Sequence, residues 1–386
     1  MKYKYSKILV LLTVIVLVLS FVSASMSQKA IDTSSKIDKR LISPGVSNFD
    51  KINYQLKGCK ITHELSDAIA LKCPEGVQIQ GAFEDEVYQI MDMDANAQIN
   101  ASDVWALGYT GSGVTIAILD TGIDKDNPEL ITSIAGGKGF GYADFEDDHG
   151  HGTHVSGIIT ADGVGGTPLG FAKGASPDAS VWMAKVCNSQ GSCYVSDIAA
   201  AIEYVVNNKI AQIMSISLGG GGTNGVSCDY DYLAKKVNWA VSNGVTVVAA
   251  AGNTAGRVSS PACASKAIAV GAVDKNDIRA SWSGTGKALD IMAPGVGIYS
   301  TLPGNTYASW SGTSMATPHI SAVVSLLRQK NPSITDNEIK NALYKTAKDL
   351  GGAGWDKYYG WGRVDALGAI NYVQLTTYKK TMYKNS

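Results

Sequence analysis

The sequence predicts an α/β protein, with a doubly wound, mostly parallel sheet carrying helices on both faces and a small α+β domain in front of it. Three observations lead there. Runs that are apolar almost throughout recur at 114–120, 180–186, 213–218, 245–251 and 267–273, and strands covered on both faces read in this way. Longer helical patterns at 196–208 and 230–243 fall between those runs, and strand–helix alternation points to a parallel crossover sheet. Before Ala97 the texture differs, with many charges and few large apolar groups, so the front portion reads as a separate, smaller unit.

Taken from the N-terminus, the first segment is an export signature. Lys2, Lys4 and Lys7 precede an apolar stretch from Ile8 to Val22, and Val22-Ser23-Ala24 supplies small residues for cleavage. Residues 1–24 are therefore expected to be a signal peptide, and the mature protein to be secreted and free of the membrane. The alternative is an uncleaved anchor, for which the stretch is at the short limit of the ~20 residues a span needs. Residues 25 to about 50 are polar and Ser-rich, and are expected to form a flexible leader. Within 51–95, strands are expected at 65–72 and 77–80, with 84–92 closing the unit. A domain of that size is marginal alone, so it needs a disulfide or a docking partner. At the other end, 372–386 is polar and reads as a loose tail, with 374–386 beyond the last domain.

Bulk numbers narrow the function classes. The chain has 386 residues, 45% hydrophobic and 17% charged, which suits a sizeable core rather than disorder. Lys plus Arg number 33 against 34 Asp plus Glu, a net charge of -1. That balance gives no footprint for nucleic acid or an anionic membrane surface. The six cysteines, Cys59, Cys73, Cys187, Cys193, Cys228 and Cys263, are an even set in an exported chain, which points to disulfides. Six cysteines allow about 15 pairings. Proximity favours Cys59 with Cys73 and Cys187 with Cys193, leaving Cys228 with Cys263. A zinc site is the alternative, but the chain has no CxxC knuckle or Cys–His cluster.

Three segments carry chemistry. In Ile118-Leu119-Asp120-Thr121-Gly122, a carboxylate ends an apolar run, where open parallel sheets place their ligands. Taken alone, such an Asp is as well explained by a turn or a helix cap. In Asp147-Asp148-His149-Gly150-His151-Gly152-Thr153-His154, glycines flank His151 and a helix of small residues begins. His151 and His154 share a helical face, yet the Glu and third ligand of a zinc hydrolase are missing. In Ser311-Gly312-Thr313-Ser314-Met315-Ala316-Thr317-Pro318-His319, Ser314 opens a helix expected to be amphipathic through Ile320, Val323, Val324 and Leu327. Pro318 should then lie in its first turn. A helix N-terminus favours developing negative charge. Asp, His and Ser together supply what a serine nucleophile requires: a base to take its proton and a carboxylate to hold the base.

These segments resemble the subtilisin family of serine proteases over about 98–369. The order Asp, His, Ser is the order found in subtilisin. Asp290-Ile291-Met292-Ala293-Pro294-Gly295, the stretch from Ser300 to Ser314, and Tyr359-Gly360-Trp361-Gly362-Arg363-Val364-Asp365-Ala366 extend the likeness to secreted bacterial subtilisins. The resemblance implies a subtilisin-like catalytic domain at 96–373 acting on protein or peptide substrates. It implies a triad of Asp120, His151 and Ser314, with an oxyanion hole from the Asn253 side chain and the Ser314 N–H. Ser217, Leu218 and Gly219 would wall the S1 pocket with Ala250 and Gly252 in the facing segment, and Gly191 and Ser192 would pair with the substrate backbone. Residues 25–95 would be a propeptide that aids folding and inhibits the enzyme until cleaved. The mature enzyme would be a monomer needing no cofactor for its chemistry. Glu129 stands where bacterial subtilisins hold calcium with an Asp, and 161–167 lacks the usual Asn. Structural calcium is thus an open expectation and its ligands are unknown. The competing class is an inactive member of the same fold acting as a binding protein.

Overall fold

The structure, a computed structural model, describes residues 39–84, 93–164, 171–222 and 227–384. The chain forms two compact units, Met1–Val87 and Tyr88–Ser386. The expected signal at 1–24, the leader up to 38, and residues 85–92 of the closing segment lie outside the described residues.

The first unit contains β1 (Lys39–Pro44), α1 (Asn48–Leu56), β2 (Lys60–Glu64), β3 (Ala68–Cys73) and β4 (Phe83–Glu84). The strands form one sheet in the order β2-β3-β1-β4 with antiparallel pairing. Two expectations are corrected. The segment read as the end of a flexible leader is β1, an interior strand held on both sides, because Leu41 is buried with Ile69 and Leu71. Residues 77–80 are not a strand; Ile79 is buried in the same cluster, and β4 takes the pairing position beside β1. Ser47 starts α1 with a capping box, its Oγ accepting from the Asp50 N–H while the Asp50 carboxylate accepts from the Ser47 N–H at 2.9 Å. The Cys59–Cys73 disulfide joins the loop after α1 to the end of β3.

The second unit opens with α2 (Met93–Gln98) and α3 (Ala101–Ala106). Its sheet has seven parallel strands: β5 (Thr115–Asp120), β6 (Ile134–Gly139), β7 (Ser180–Lys185), β8 (Ile213–Ile216), β10 (Thr246–Ala250), β12 (Ile268–Val273) and β13 (Ile291–Pro294). They lie in the order β13-β12-β10-β8-β5-β7-β6. Short strands β9 (Gly220–Gly222) and β11 (Ser259–Ser260) pair with each other, and β14 (Ile298–Leu302) and β15 (Thr306–Trp310) form a hairpin. The helices are α4 (His151–Thr160), α5 (Val195–Asn207), α6 (Tyr232–Ser242), α7 (Thr313–Lys330), α8 (Asp336–Thr346) and α9 (Ala366–Lys384). One core cluster fills the face under α4 and α7, and a second fills the opposite face under α5 and α6. The doubly wound α/β expectation therefore holds. The two edge strands of the sheet, β6 and β13, were not expected: the first reads IAGGKG and the second is short.

Two further readings change. The helix carrying Ser314 is not amphipathic; α7 is buried on every side from Met315 to Arg328, as a helix crossing the middle of a large core must be. Pro318 sits in its second turn rather than its first. A proline there removes the N–H that would bond the carbonyl four residues back, which is Ser314 O. That carbonyl accepts instead from Ser217 Oγ at 2.9 Å. The tail read as loose is helical to Lys384. Ala366, Ala369, Ile370 and Val373 are buried along one stripe of α9 and anchor its first turns. Among the described residues no helix is long and apolar enough to cross a membrane.

Candidate active site

Asp120 is the last residue of β5, and its carbonyl accepts from the Val186 and Cys187 N–H groups at 2.8 and 3.2 Å. Its Oδ1 lies 2.7 Å from His151 Nδ1 and also accepts from the Thr121 N–H at 2.7 Å. The other oxygen, Oδ2, is buried without a donor among the described residues. His151 is the first residue of α4, and a buried polar network fixes that helix start. Asp147 Oδ1 accepts from Thr121 Oγ1 and the N–H groups of His149 and Gly150, and Oδ2 from the N–H and Oγ1 of Thr153, all at 2.6–3.0 Å. The backbone approach is close enough that a Cβ on Gly152 would lie 2.0 Å from the Gly122 carbonyl oxygen. Burial lowers the pKa of His151, but the charge and hydrogen bond of Asp120 and the charge of Asp147 outweigh it, so the net shift is upward. His154 behaves differently. It is buried, donates from Nε2 to the Ala308 carbonyl at 3.0 Å and stacks on Trp310, and burial takes its pKa down to about 4. The two histidines hydrogen-bond to separate partners, Asp120 and the Ala308 carbonyl, and among the described residues no group of three His, Cys, Asp or Glu converges to hold a metal.

Ser314 lies at the start of α7, where the structure ties it to the strand end after β8. Its Oγ donates to the Ser217 carbonyl at 2.9 Å, reciprocating the bond from Ser217 Oγ to Ser314 O. Among the first N–H groups of α7, Thr313 donates to Asn253 Oδ1 at 2.9 Å, and Met315 and Ala316 donate to the Gly312 carbonyl. The Ser314 N–H has no acceptor among the described residues. Thr313 Oγ1 also donates to Asn253 Oδ1 at 2.9 Å while accepting from the Gly252 N–H at 3.1 Å. With Oδ1 held twice, the Asn253 amide presents its Nδ2 on the side away from Thr313.

Asp120, His151, Ser314 and Asn253 line one cleft of about 960 Å³. Of the other expected substrate residues, Gly191, Ser217, Leu218, Gly219, Ala250 and Gly252 also line it. Ser192 does not: its N–H donates to Asn188 Oδ1 at 2.9 Å and its carbonyl accepts from the Asn188 N–H at 3.0 Å. Both of its backbone groups are used inside the hairpin that Cys187 and Cys193 close. The third disulfide joins Cys228 and Cys263, so all three expected pairs form. Thr313, Asp147, Thr121 and Thr153, which hold the cleft residues in place, were not singled out as such from the sequence. Threonine directly before the serine and Asp147 at the head of the histidine segment were the available signals.

Glu129, the expected counterpart of a calcium ligand, is already engaged. Its carboxyl accepts from the Ala172 N–H at 2.9 Å and the Tyr307 O–H at 2.9 Å. Burial and the charge of Asp162 raise its pKa to about 6 despite those hydrogen bonds. Residues 165–167 of the neighbouring loop lie outside the described residues.

Comparison with known proteins agrees with this architecture. Over 267 residues, 68% of this chain, it is 45% identical to M-protease of Shouchella clausii, covering 65% of that protein. The same identity and length are found with subtilisin Savinase of Lederbergia lenta, covering 92% of it, and with an alkaline protease of Alkalihalobacillus alcalophilus, covering 65% of it. A model of the subtilase family matches residues 111–362. The chain belongs to the subtilase family.

Proposed function

We propose that the chain is a secreted serine endopeptidase, made as a self-processing precursor, that cuts protein substrates through an acyl-enzyme. One observation carries the reading: the Asp120–His151 pair, Ser314 with an unclaimed N–H, and the oriented Asn253 amide meet in a single cleft. In this mechanism the Ser314 hydroxyl turns from the Ser217 carbonyl to His151 Nε2. His151 takes its proton as Oγ attacks the scissile carbonyl, and Asp120 holds the imidazolium through Nδ1. The carbonyl oxygen becomes an oxyanion, stabilised by the Ser314 N–H and Asn253 Nδ2. His151 then gives the proton to the departing amine, and water repeats the sequence to release the acid. No metal or cofactor enters any step.

The relatives named as proteases support this activity, and the export signature supports secretion. On this reading 25–95 is a propeptide that inhibits the enzyme until it is cut away, and the mature domain at 96–373 works as a monomer on protein alone. An inactive binding protein of the same fold is less well supported, because each expected catalytic group is present. The test is a Ser314→Ala variant beside the parent. The parent should lose its leader and digest casein, while the variant stays full-length. A variant that matures unaided and digests casein would sink the proposal.

A further inference from the structure

The segments that follow β8 and β10 line the same cleft as Ser314. Gly252 lets β11 pack directly against that wall, since a Cβ there would lie 2.3 Å from Ser259 Oγ. The lining of the same cleft includes Ser259, Ser260, Leu233 and Asp231. Among the described residues, Asp231 and Asp120 are the carboxylates lining the cleft, and no lysine or arginine lines it. Asp120 is committed to His151, whereas Asp231 forms no ion pair among the described residues.

We infer that Asp231 makes this pocket a receptor for lysine or arginine at P1, the residue on the acyl side of the cut bond. The inference deepens the endopeptidase reading and rests on it. Asp231 Oδ1 accepts from Ser260 Oγ at 2.5 Å and from the Ala234 N–H at 3.0 Å. Those two donors set the plane of the carboxylate. Oδ2 takes no donor among the described residues, and Asp231 is half-buried. It is left for a ligand.

The segments on either side are stapled. The Asp231 N–H donates to the Cys228 carbonyl at 2.7 Å, the Cys228 N–H donates to the Cys263 carbonyl at 2.9 Å, and Cys228 is disulfide-bonded to Cys263. Both cysteines are fully buried. The carboxylate is therefore held ready rather than ordered by the substrate, which lowers the entropy lost on binding. A lysine or arginine side chain matches the pocket in both its parts. Its methylene stem lies along the glycine and leucine walls, and its cation reaches the carboxylate. A glutamate at P1 would meet like charge.

Asp231 also caps α6, since its side chain accepts from the Ala234 N–H. Capping alone would explain an aspartate here, so the variant must keep the cap. Asp231→Asn does so, because asparagine caps as well as aspartate, and Asp231→Ser is a second capping replacement. The experiment measures kcat/KM on peptides that differ only at P1, as Arg, Lys, Leu or Glu, for the mature parent, both variants and Ser314→Ala. In both Asp231 variants the Arg-to-Leu and Lys-to-Leu ratios should fall about tenfold, equivalent to about 1.4 kcal/mol, and the Glu-to-Leu ratio should rise. Ratios that match the parent's in both variants overturn the inference while leaving the protease reading intact. If the parent cuts none of the peptides, or Ser314→Ala cuts them equally well, the protease reading fails and this inference falls with it.

Discussion

At the scale of single residues, His151 is poised by opposing forces. Burial works against its protonation, and Asp120 and Asp147 work for it and prevail, so its pKa lies above 6.5. A general base must be neutral to accept a proton. The acid limb of kcat/KM should therefore lie above pH 6.5, the ordinary histidine value. Asp147→Asn removes one raising charge and should move that limb to lower pH, read from the pH profile. Asn253→Ala should cost about 10²–10³ in kcat, a magnitude established on a subtilisin itself. Thr313→Val keeps the backbone donor to Asn253 but deletes the Oγ1 donor. It should lower kcat by about tenfold, as loss of one modest hydrogen bond does, with KM little changed, since Thr313 acts through Asn253 on the transition state. Glu129 yields a stability prediction. Its folded-state pKa, about 6, exceeds the unfolded value of 4.5, so the folded state binds the extra proton. Its stabilising share is complete below pH 4.5 and fades as pH rises through 6. Glu129→Gln should flatten that decline in a series of melting temperatures, and an unchanged slope would contradict the assignment. Asp120, His151 and Ser314 were legible because each sits in a distinctive local string. Thr313 was not, because its partner Asn253 arrives from a distant segment. The use of both Ser192 backbone groups inside its hairpin was not legible either, because it depends on the Asn188 side chain that closes it.

At the scale of elements, apolar runs located five of the seven strands to within a residue or two, because two-sided burial demands such runs. The glycine-rich β6 and the short β13 gave no such signal, and they lie at the sheet's two edges. Helix α7 shows why periodicity misleads at the centre of a fold. Four apolar positions suggested one buried face, but Thr317, Ser321 and Ser325 are buried as well. Each finds a backbone carbonyl in its own helix, as Thr317 Oγ1 does at the Thr313 carbonyl at 2.8 Å, and Ser321 and Ser325 also bond the Ser215 and Ser176 hydroxyls. The Cys228–Cys263 bridge spans 35 residues. Closing a loop of that length stabilises by about 4 kcal/mol through the unfolded chain. Replacing both cysteines with serine should lower the unfolding free energy by about that amount, measured by denaturant titration of an inhibited sample. A change below about 1 kcal/mol would show that the bridge adds little to what packing already provides.

At the scale of the whole molecule, the parallel sheet is the device that gathers the site. Asp120, Ser217 and Ala250 stand at or just beyond the carboxyl ends of β5, β8 and β10, neighbours in the sheet. Residues separated by long stretches of sequence thus share one edge, and α7 brings Ser314 to it from below. This convergence was legible from the alternation of strands and helices, whereas the depth and charge of the pocket depend on the stapled segments around Asp231. Ser314→Ala should cut turnover by about 10⁶, the drop found in a subtilisin itself. The most direct test of the central claim is intact-mass and peptide-mass analysis of the mature enzyme treated with a serine-directed sulfonyl fluoride. A single sulfonyl group on Ser314, with casein hydrolysis lost in proportion to labelling, is the result the structure predicts. Full labelling of Ser314 with hydrolysis retained, or loss of hydrolysis with the label on another residue, would contradict it.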